Sequence, residues 1–452
     1  MITLIADEIC QVLMSNGKPC GRRKYKDNKK CILHLENKSD EEAKIFEIVF
    51  WEELNKMEKD NDIKELDFKD FIFNNSINFD GHFFEKSVIF EGAQFNNKVS
   101  FIHAKFNNDA AFSSAKFDNE VSFWGTQFNN IVYFLDTKFN NVTSFVGAQF
   151  NNEADFLHAE FNNRADFLRA QFNNKVCFDI AKFNNEAVFQ STKFNNKAYF
   201  SGTEFNNIAS FELSEFQDEV FFYCIKFSSS GKGIIYLNNV KFLDPKHTIF
   251  QNIDLSNVSF LNTDVTEVEF LDEKWARKNG RLAVVDETNI GRYGSTTYGA
   301  VAQLYRRLRR NYEINYRFAE AGEFFIGEME MRRRDVNTSV KSERIRNIVL
   351  RLKRNFSLLG LYKLLSLYGE SYKLPIIWAF IVIVSYPILM NWLFNVSLPQ
   401  SDDFLYTYLR TSASSFFQMD STYSAYIGER ILGFLIIGLL FIALKRKFER
   451  KK

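Results

Sequence analysis

The hydrophobic positions of residues 68–227 fall on a fixed grid. Phe recurs every eleven residues from Phe68 to Phe222, and a second series recurs every eleven from Phe73 to Phe227, so the gaps alternate between five and six. Together the two series hold 30 Phe without an exception. Two residues before most of these Phe stands a small or β-branched residue, as at Ala93, Val99, Ala104, Val121 and Thr126. Asn-Asn follows the second series, as at Asn96-Asn97, Asn107-Asn108 and Asn151-Asn152. An α-helix cannot use this grid, because eleven residues make about three turns and set the two series on conflicting faces. β-Branched residues and Asn pairs are also poor helix formers. The spacing predicts short extended pieces that turn a corner every five or six residues, each pointing one small residue and one Phe inward. Asn pairs at the corners satisfy the turning backbone and can stack as amide ladders. One such unit cannot bury its own Phe, so many coils must stack around a continuous core. From Ile253 the spacing becomes five, with Leu255, Phe260, Val265 and Phe270 as central residues. Pro245 is the only Pro between positions 20 and 374, as expected where every coil hydrogen-bonds to its neighbours.

The flanking patterns are helical. Ile45, Phe46, Val49, Phe50 and Leu54 form a stripe that predicts a helix capping the first coil. Residues 301–334 read as two amphipathic helices, with Leu304, Tyr305, Leu308 and Tyr312 on one face and Ala321, Phe324, Phe325 and Met329 on the other's. Next comes a stripe of Ile345, Ile348, Val349, Leu352, Phe356 and Leu359, surrounded by Arg344, Arg346, Arg351, Lys353 and Arg354. Such a helix lies in the headgroup plane of a membrane or packs on the preceding pair. Residues 374–394 contain no charge, and their length matches the ~20 residues that cross a bilayer core. Trp378 and Trp392 near the ends suit interfacial belts. A second candidate, 431–444, reaches spanning length only by extending back to 423, across Glu429 and Arg430. That pair must face protein, water or the interface. Between the two, 403–419 has helical spacing and few charges, as a re-entrant helix would.

Charge sharpens this division. The 452 residues carry 57 Lys+Arg and 56 Asp+Glu, but residues 68–272 hold 16 basic and 25 acidic groups, 273–373 hold 21 and 11, and 445–452 hold 6 and 1. Near-neutrality argues against a dedicated nucleic-acid binder, and a hydrophobic fraction of 46% excludes a disordered chain. With basic segments before the first span and after the second, the positive-inside rule places both termini in the cytoplasm. The five Cys are odd in number and the start has no basic n-region, so reduced thiols are expected. Cys10, Cys20, Cys31 and His34 form C-x9-C-x10-C-x2-H, a donor set suited to a structural Zn²⁺. The other reading is three unlinked thiols with His34 facing solvent. No nucleophile-base pair is evident, and no enzyme is expected.

The run AQFNN-KVSFIH-AKFNN-DAAFSS at 93–114 resembles the pentapeptide-repeat proteins, with a sixth residue in every second unit. The resemblance implies a mainly β fold, a right-handed quadrilateral β-helix of roughly nine coils and about 45 Å in length. The blocks LYRRLRRNYE, AGEFFIGEMEMRRR and LYGES resemble the segment joining such solenoids to membrane hairpins in a subset of these proteins. The order span, short helix, span resembles two-transmembrane ion channels. That resemblance places Ser414, Ser415, Phe416, Phe417, Gln418, Met419 and Asp420 at the filter position, and Glu429 and Gly433 as support at the start of the second span. The stretch has no Gly, so a carbonyl filter selective for potassium is not expected. The domains expected are 1–67, a zinc knuckle and capping helix; 68–272, the β-helix; 273–373, a basic helical linker; and 374–452, a two-span membrane domain. Two functions stand on this reading. One is a homo-oligomeric, tetrameric ion channel or pore in membrane lipid, regulated by the solenoid and a protein partner on it. The other is a membrane-anchored scaffold that does not conduct.

Overall fold

The computed structural model describes residues 9–227, 233–291, 296–336, 343–394, 404–419 and 427–449. The Phe grid becomes a parallel β-solenoid of about nine coils, with four sheets of ten, eight, nine and eight strands along its sides. Phe73 pairs with Phe95, and Phe95 with Phe117, each 22 residues on. Eleven residues are therefore half a coil, and the two series of Phe separate into four ring stacks. Within a stack the rings lie nearly parallel, as for Phe123 and Phe145 (4.8 Å, 2°) and Phe134 and Phe156 (4.9 Å, 11°). Neighbouring stacks meet edge to face, as for Phe123 and Phe134 (5.6 Å, 78°). Both geometries suit the aromatic quadrupole. The small positions are buried beside the rings, and where they are Thr the hydroxyl is satisfied. Thr126 donates to the Phe101 carbonyl and Thr137 to that of Phe112, both at 2.7 Å.

The corners are of two kinds, which the spacing alone does not separate. Two residues after each Phe of the first series the backbone turns left-handed, as at Asp70, His103, Ser114 and Gly125. The amides of Ala104 and Ala115 close these corners on the Phe101 and Phe112 carbonyls, both at 3.0 Å. This is the type II turn, with positive φ at its third residue. The other corner, after the second series, takes the extra residue and needs no positive φ. There Asn amides stack coil on coil, from Asn195 to Asn173 (2.7 Å), Asn173 to Asn151 (2.8 Å) and Asn151 to Asn129 (2.9 Å).

Both solenoid ends are covered. Helix α1 (Asp40–Lys59) starts at a Ser39/Glu42 capping box. Phe46 and Phe50 pack on Phe73 at 5.1 and 5.0 Å, and Phe50 also packs on Phe68 at 5.2 Å. Ile45 does not join this stripe and is exposed, while Ala43 and Met57 do join it. At the other end Trp275 covers Phe260 and Phe270. A helical turn, α2 (Asp286–Asn289), brings the Asp286 carboxylate onto the Ser259 hydroxyl and the Phe260 amide. Burial pushes the Asp286 carboxyl up to about 6.

The chain divides into two compact units. The first runs to Ala276 and includes Val284–Asn289; the second comprises Arg277–Ala283 and the chain from Ile290 on. In the second, α3 (Tyr298–Ile314) and α4 (Phe318–Arg334) form a hairpin that buries Leu304, Tyr305, Leu308 and Tyr312 against Phe324. Phe325 lies off that face and carries Arg309 and Arg446 on its ring, at 5.3 and 4.7 Å. Several of the basic residues pair within the unit. Arg306, Arg309 and Arg332 converge on buried Glu328. Arg333, Arg334 and Lys363 converge on Glu330, which also accepts from the Tyr368 hydroxyl at 2.7 Å. Burial opposes the Glu330 charge, but Arg333, Lys363 and Tyr368 hold its carboxyl down at about 2. Then follow α5 (Glu343–Asn355), α6 (Leu358–Ser366), α7 (Lys373–Phe394), α8 (Phe404–Phe416) and α9 (Ile427–Glu449). The indole of Trp378 on α7 donates to the Leu364 carbonyl at 3.0 Å. Arg446 on α9 reaches the Tyr368 carbonyl and Glu370, both at 3.0 Å.

Candidate functional site

The first site lies before the solenoid. Residues 9–23 fold back on themselves, with Ile9 bridged to Arg23 and Leu13 to Pro19. The Cys10 amide donates to the Arg22 carbonyl, and that of Cys20 to the Val12 carbonyl, both at 2.8 Å. This turn delivers two thiols side by side. Cys31 leads into the short turn Ile32–His34, which delivers a third thiol and an imidazole. The four donor atoms all lie within 4.8 Å of one another. Cys31 Sγ is 3.2 Å and Cys10 Sγ 3.6 Å from His34 Nδ1, and the sulfurs of Cys20 and Cys31 are 3.8 Å apart. His34 is buried and its ring meets Phe71 edge-on at 5.0 Å, so the solvent-facing reading of this residue fails. The group can hold a metal ion. Hydrogen bonding from Cys31, then His34 and Arg22, draws the Cys20 thiol down to about 3 despite burial, whereas Cys31 is pushed up.

Two partners of this cluster were not evident in the spacing. His34 Nε2 lies 3.0 Å from the Lys69 carbonyl, which can only accept, so Nε2 carries the proton and Nδ1 presents its lone pair to the thiols. Arg22 donates to Cys20 Sγ at 3.3 Å and pairs with Glu53 at 3.2 Å. The His34–Lys69 and Arg22–Glu53 contacts join segments far apart in the chain.

The second site is the helical hairpin. Residues 373–393 of α7 and 427–448 of α9 are long and apolar enough to cross a membrane. α8 packs on both. The Ser412 hydroxyl donates to the Ile383 carbonyl of α7 at 2.7 Å and also bonds the Glu429 carboxyl of α9. Ser412 and Glu429 are buried, and the second Glu429 oxygen has no partner among the described residues. One turn on, Phe416 lies against Gly433, where a Cβ would sit 2.2 Å from the Phe416 carbonyl oxygen. Because 412 faces 429 and 416 faces 433, α8 and the first turns of α9 run in the same direction. Gln418 closes the corner, donating to the Arg430 carbonyl at 2.8 Å from a positive-φ backbone.

The filter-position residues divide. Ser414, Ser415 and Phe416 remain within α8, and Ser415 and Phe416 are buried against its neighbours rather than lining an opening. The Ser414 hydroxyl bonds back to the Arg410 carbonyl at 2.7 Å, and no Gly or Pro interrupts the helix before 417. Phe417, Gln418 and Met419 leave the helix and are exposed. Asp420 lies outside the described residues.

Residues 90–138 match a family model described as Pentapeptide repeats (9 copies). No curated protein and no solved structure matches the chain. The matched residues lie within the four-sided parallel solenoid.

Proposed function

We propose that the chain is a subunit of a homo-oligomeric membrane pore, with its solenoid as a cytoplasmic interaction rod. One observation carries this reading, the placement of α8. Its 13 residues extend about 20 Å, short of the ~30 Å hydrocarbon core. It nevertheless packs on both helices of spanning length and runs beside the start of α9. With α7 and α9 across a bilayer, α8 enters from the side where α9 begins and ends within the membrane opposite Gly433. Its terminal carbonyls bring the negative end of the helix dipole to that depth, which favours a cation. Residues 417–419 then leave the helix where irregular backbone is tolerated only against protein or water. Two spans cannot enclose such a segment alone, so several copies are needed around it, and the tetramer implied by the channel resemblance is a closed symmetric solution. Most of the α7 and α9 surface is apolar and exposed in the single chain, as contacts with lipid and neighbouring copies require.

The Cys3His cluster is assigned to structural zinc. Zn–S bonds of about 2.3 Å at a tetrahedral angle put sulfurs about 3.8 Å apart, which is the Cys20–Cys31 separation. Cys10, Cys20, Cys31 and His34 Nδ1 would close the site with no open position, so the metal would fold the N-terminal segment and do no chemistry.

The pentapeptide match also favours a second reading, a membrane-anchored interaction rod without conduction. Cation flux into liposomes reconstituted with the full chain separates the two. Flux above that of protein-free liposomes supports the pore, and its absence with an intact oligomer supports the anchor.

A further inference from the structure

A basic pocket in the second unit is used by neither the metal cluster nor the hairpin. Arg333 and Arg334 at the end of α4, with Asn347, Arg351, Arg354 and Asn355 of α5, line an open cavity of about 460 Å³. That volume lies within the usual range for small-molecule sites. The α5 residues share one helix face by their spacing of four, three and one. The exposed apolar residues Ile345, Ile348 and Leu352 lie on an adjoining face of α5.

The charge in this pocket is not balanced. Arg333 and Arg334 share Glu330 with Lys363. Arg351 and Arg354 have no carboxylate partner among the described residues; Arg354 lies over the Tyr298 ring at 5.9 Å. Arg333 donates one guanidinium nitrogen to Asn355 Oδ1 at 3.2 Å. The Nε groups of Arg333 and Arg354 are both buried with no acceptor among the described residues. Several guanidinium forks facing one space match an oxyanion that offers more than two oxygens and more than one charge. A lone carboxylate offers neither.

We propose that the pocket between α4 and α5 binds a phosphate-bearing ligand, held by the guanidinium groups of Arg351 and Arg354, with Arg333 and Arg334 lining the cavity from α4. The phosphate belongs either to a soluble phosphorylated compound or to an anionic lipid headgroup. The test uses the full chain in phosphatidylcholine nanodiscs. Inorganic pyrophosphate is titrated calorimetrically, and retention of phosphatidic acid mixed into the discs is read by native mass spectrometry. Saturable pyrophosphate binding identifies the soluble source, and selective retention of phosphatidic acid alone identifies the lipid. In either case Arg351→Gln with Arg354→Gln is expected to weaken binding roughly 10- to 100-fold, the worth of lost hydrogen bonds to a charged group. Arg346→Gln, outside the pocket, is expected to leave binding unchanged. Arg351→Lys with Arg354→Lys keeps the charge but removes the forks, and should lie between. Absence of saturable binding by both probes overturns the proposal, as does equal weakening by Arg346→Gln.

Discussion

His34 Nε2 donates to the backbone carbonyl of Lys69 at 3.0 Å, tying the Cys3His cluster to the first coil of the solenoid. The coil and the donor set are thus one folding unit. On the zinc assignment, removing the metal or the imidazole is expected to loosen the end of the rod. In a solenoid each coil contacts only its neighbours, so the effect stays local. Cys31→Ser is expected to lose stoichiometric zinc from the purified chain. His34→Ala is expected to speed hydrogen exchange at the Phe68 and Phe71 amides while leaving coils around Phe145 protected. Metal-free, folded wild-type protein contradicts the assignment.

The interior of the rod makes a second prediction. Phe145 is fully buried between Phe123 and Phe167, at 4.8 and 4.9 Å. Phe145→Ala is expected to destabilise by about 3–5 kcal/mol through lost burial and the cavity left in the stack. Because adjacent coils hold each other, denaturant unfolding should split into two transitions. A single transition with unchanged midpoint would rule this out.

The left-handed corners make a third. Ser114 holds φ +56° where a Gly would be unstrained. Ser114→Gly is expected to raise stability by up to about 1 kcal/mol, measured by urea unfolding. Gly125→Ala, at φ +64°, is expected to lower it, because the new Cβ would lie 2.5 Å from the His103 ring.

These corners also show where reading the sequence stops. The Phe series and the Asn ladders are visible because side-chain identity repeats with the period. The left-handed positions are occupied by Asp70, His103, Ser114, Arg169 and Ile180 as well as by Gly, and here a turn is set by backbone geometry with no constant residue type to reveal it. The Cys3His set was legible as a list of ligands. Its attachment was not, because Lys69 contributes only a carbonyl. Ser412 is likewise silent in the sequence, since a Ser within a helix carries no signal until Glu429 is placed beside it. The basic residues at 306–310 and 332–334 stand in the sequence only as part of the local charge excess, yet several of them close on Glu328 and Glu330 from other turns and helices.

Asp286 makes the pH prediction. Its carboxyl is raised to about 6 in the folded chain by burial, against a reference of 3.8. Between those values the folded state binds more protons than the unfolded one, so stability falls as pH rises from about 4 to about 6. The span is worth roughly 2–3 kcal/mol at the end of the solenoid near Trp275. Asp286→Asn is expected to flatten this slope. Local exchange at the Phe260 amide, followed from pH 4 to 7, reads it; a slope retained in the variant would assign the titration elsewhere.

Gly433 tests the fit of α8 against α9. Gly433→Ala puts a methyl group into the Phe416 carbonyl, which is backbone and cannot swing aside. The variant is expected to displace the end of α8 and to abolish or strongly reduce flux while leaving the solenoid's unfolding unchanged. Wild-type flux in Gly433→Ala would show that this contact does not position the conducting segment.

On the pore reading, the chain leaving α8 lines a path for ions. Met419 is exposed just beyond that helix, and all five native Cys lie between Cys10 and Cys224, far from the hairpin in sequence. The most direct measurement is single-channel recording of the full-length Met419→Cys chain in a planar bilayer, with a positively charged methanethiosulfonate added on the side opposite the solenoid. A cation current is expected that the reagent blocks in Met419→Cys and leaves unchanged in the wild type. A bilayer that carries no current with either chain, or a current that the reagent does not alter, would contradict it.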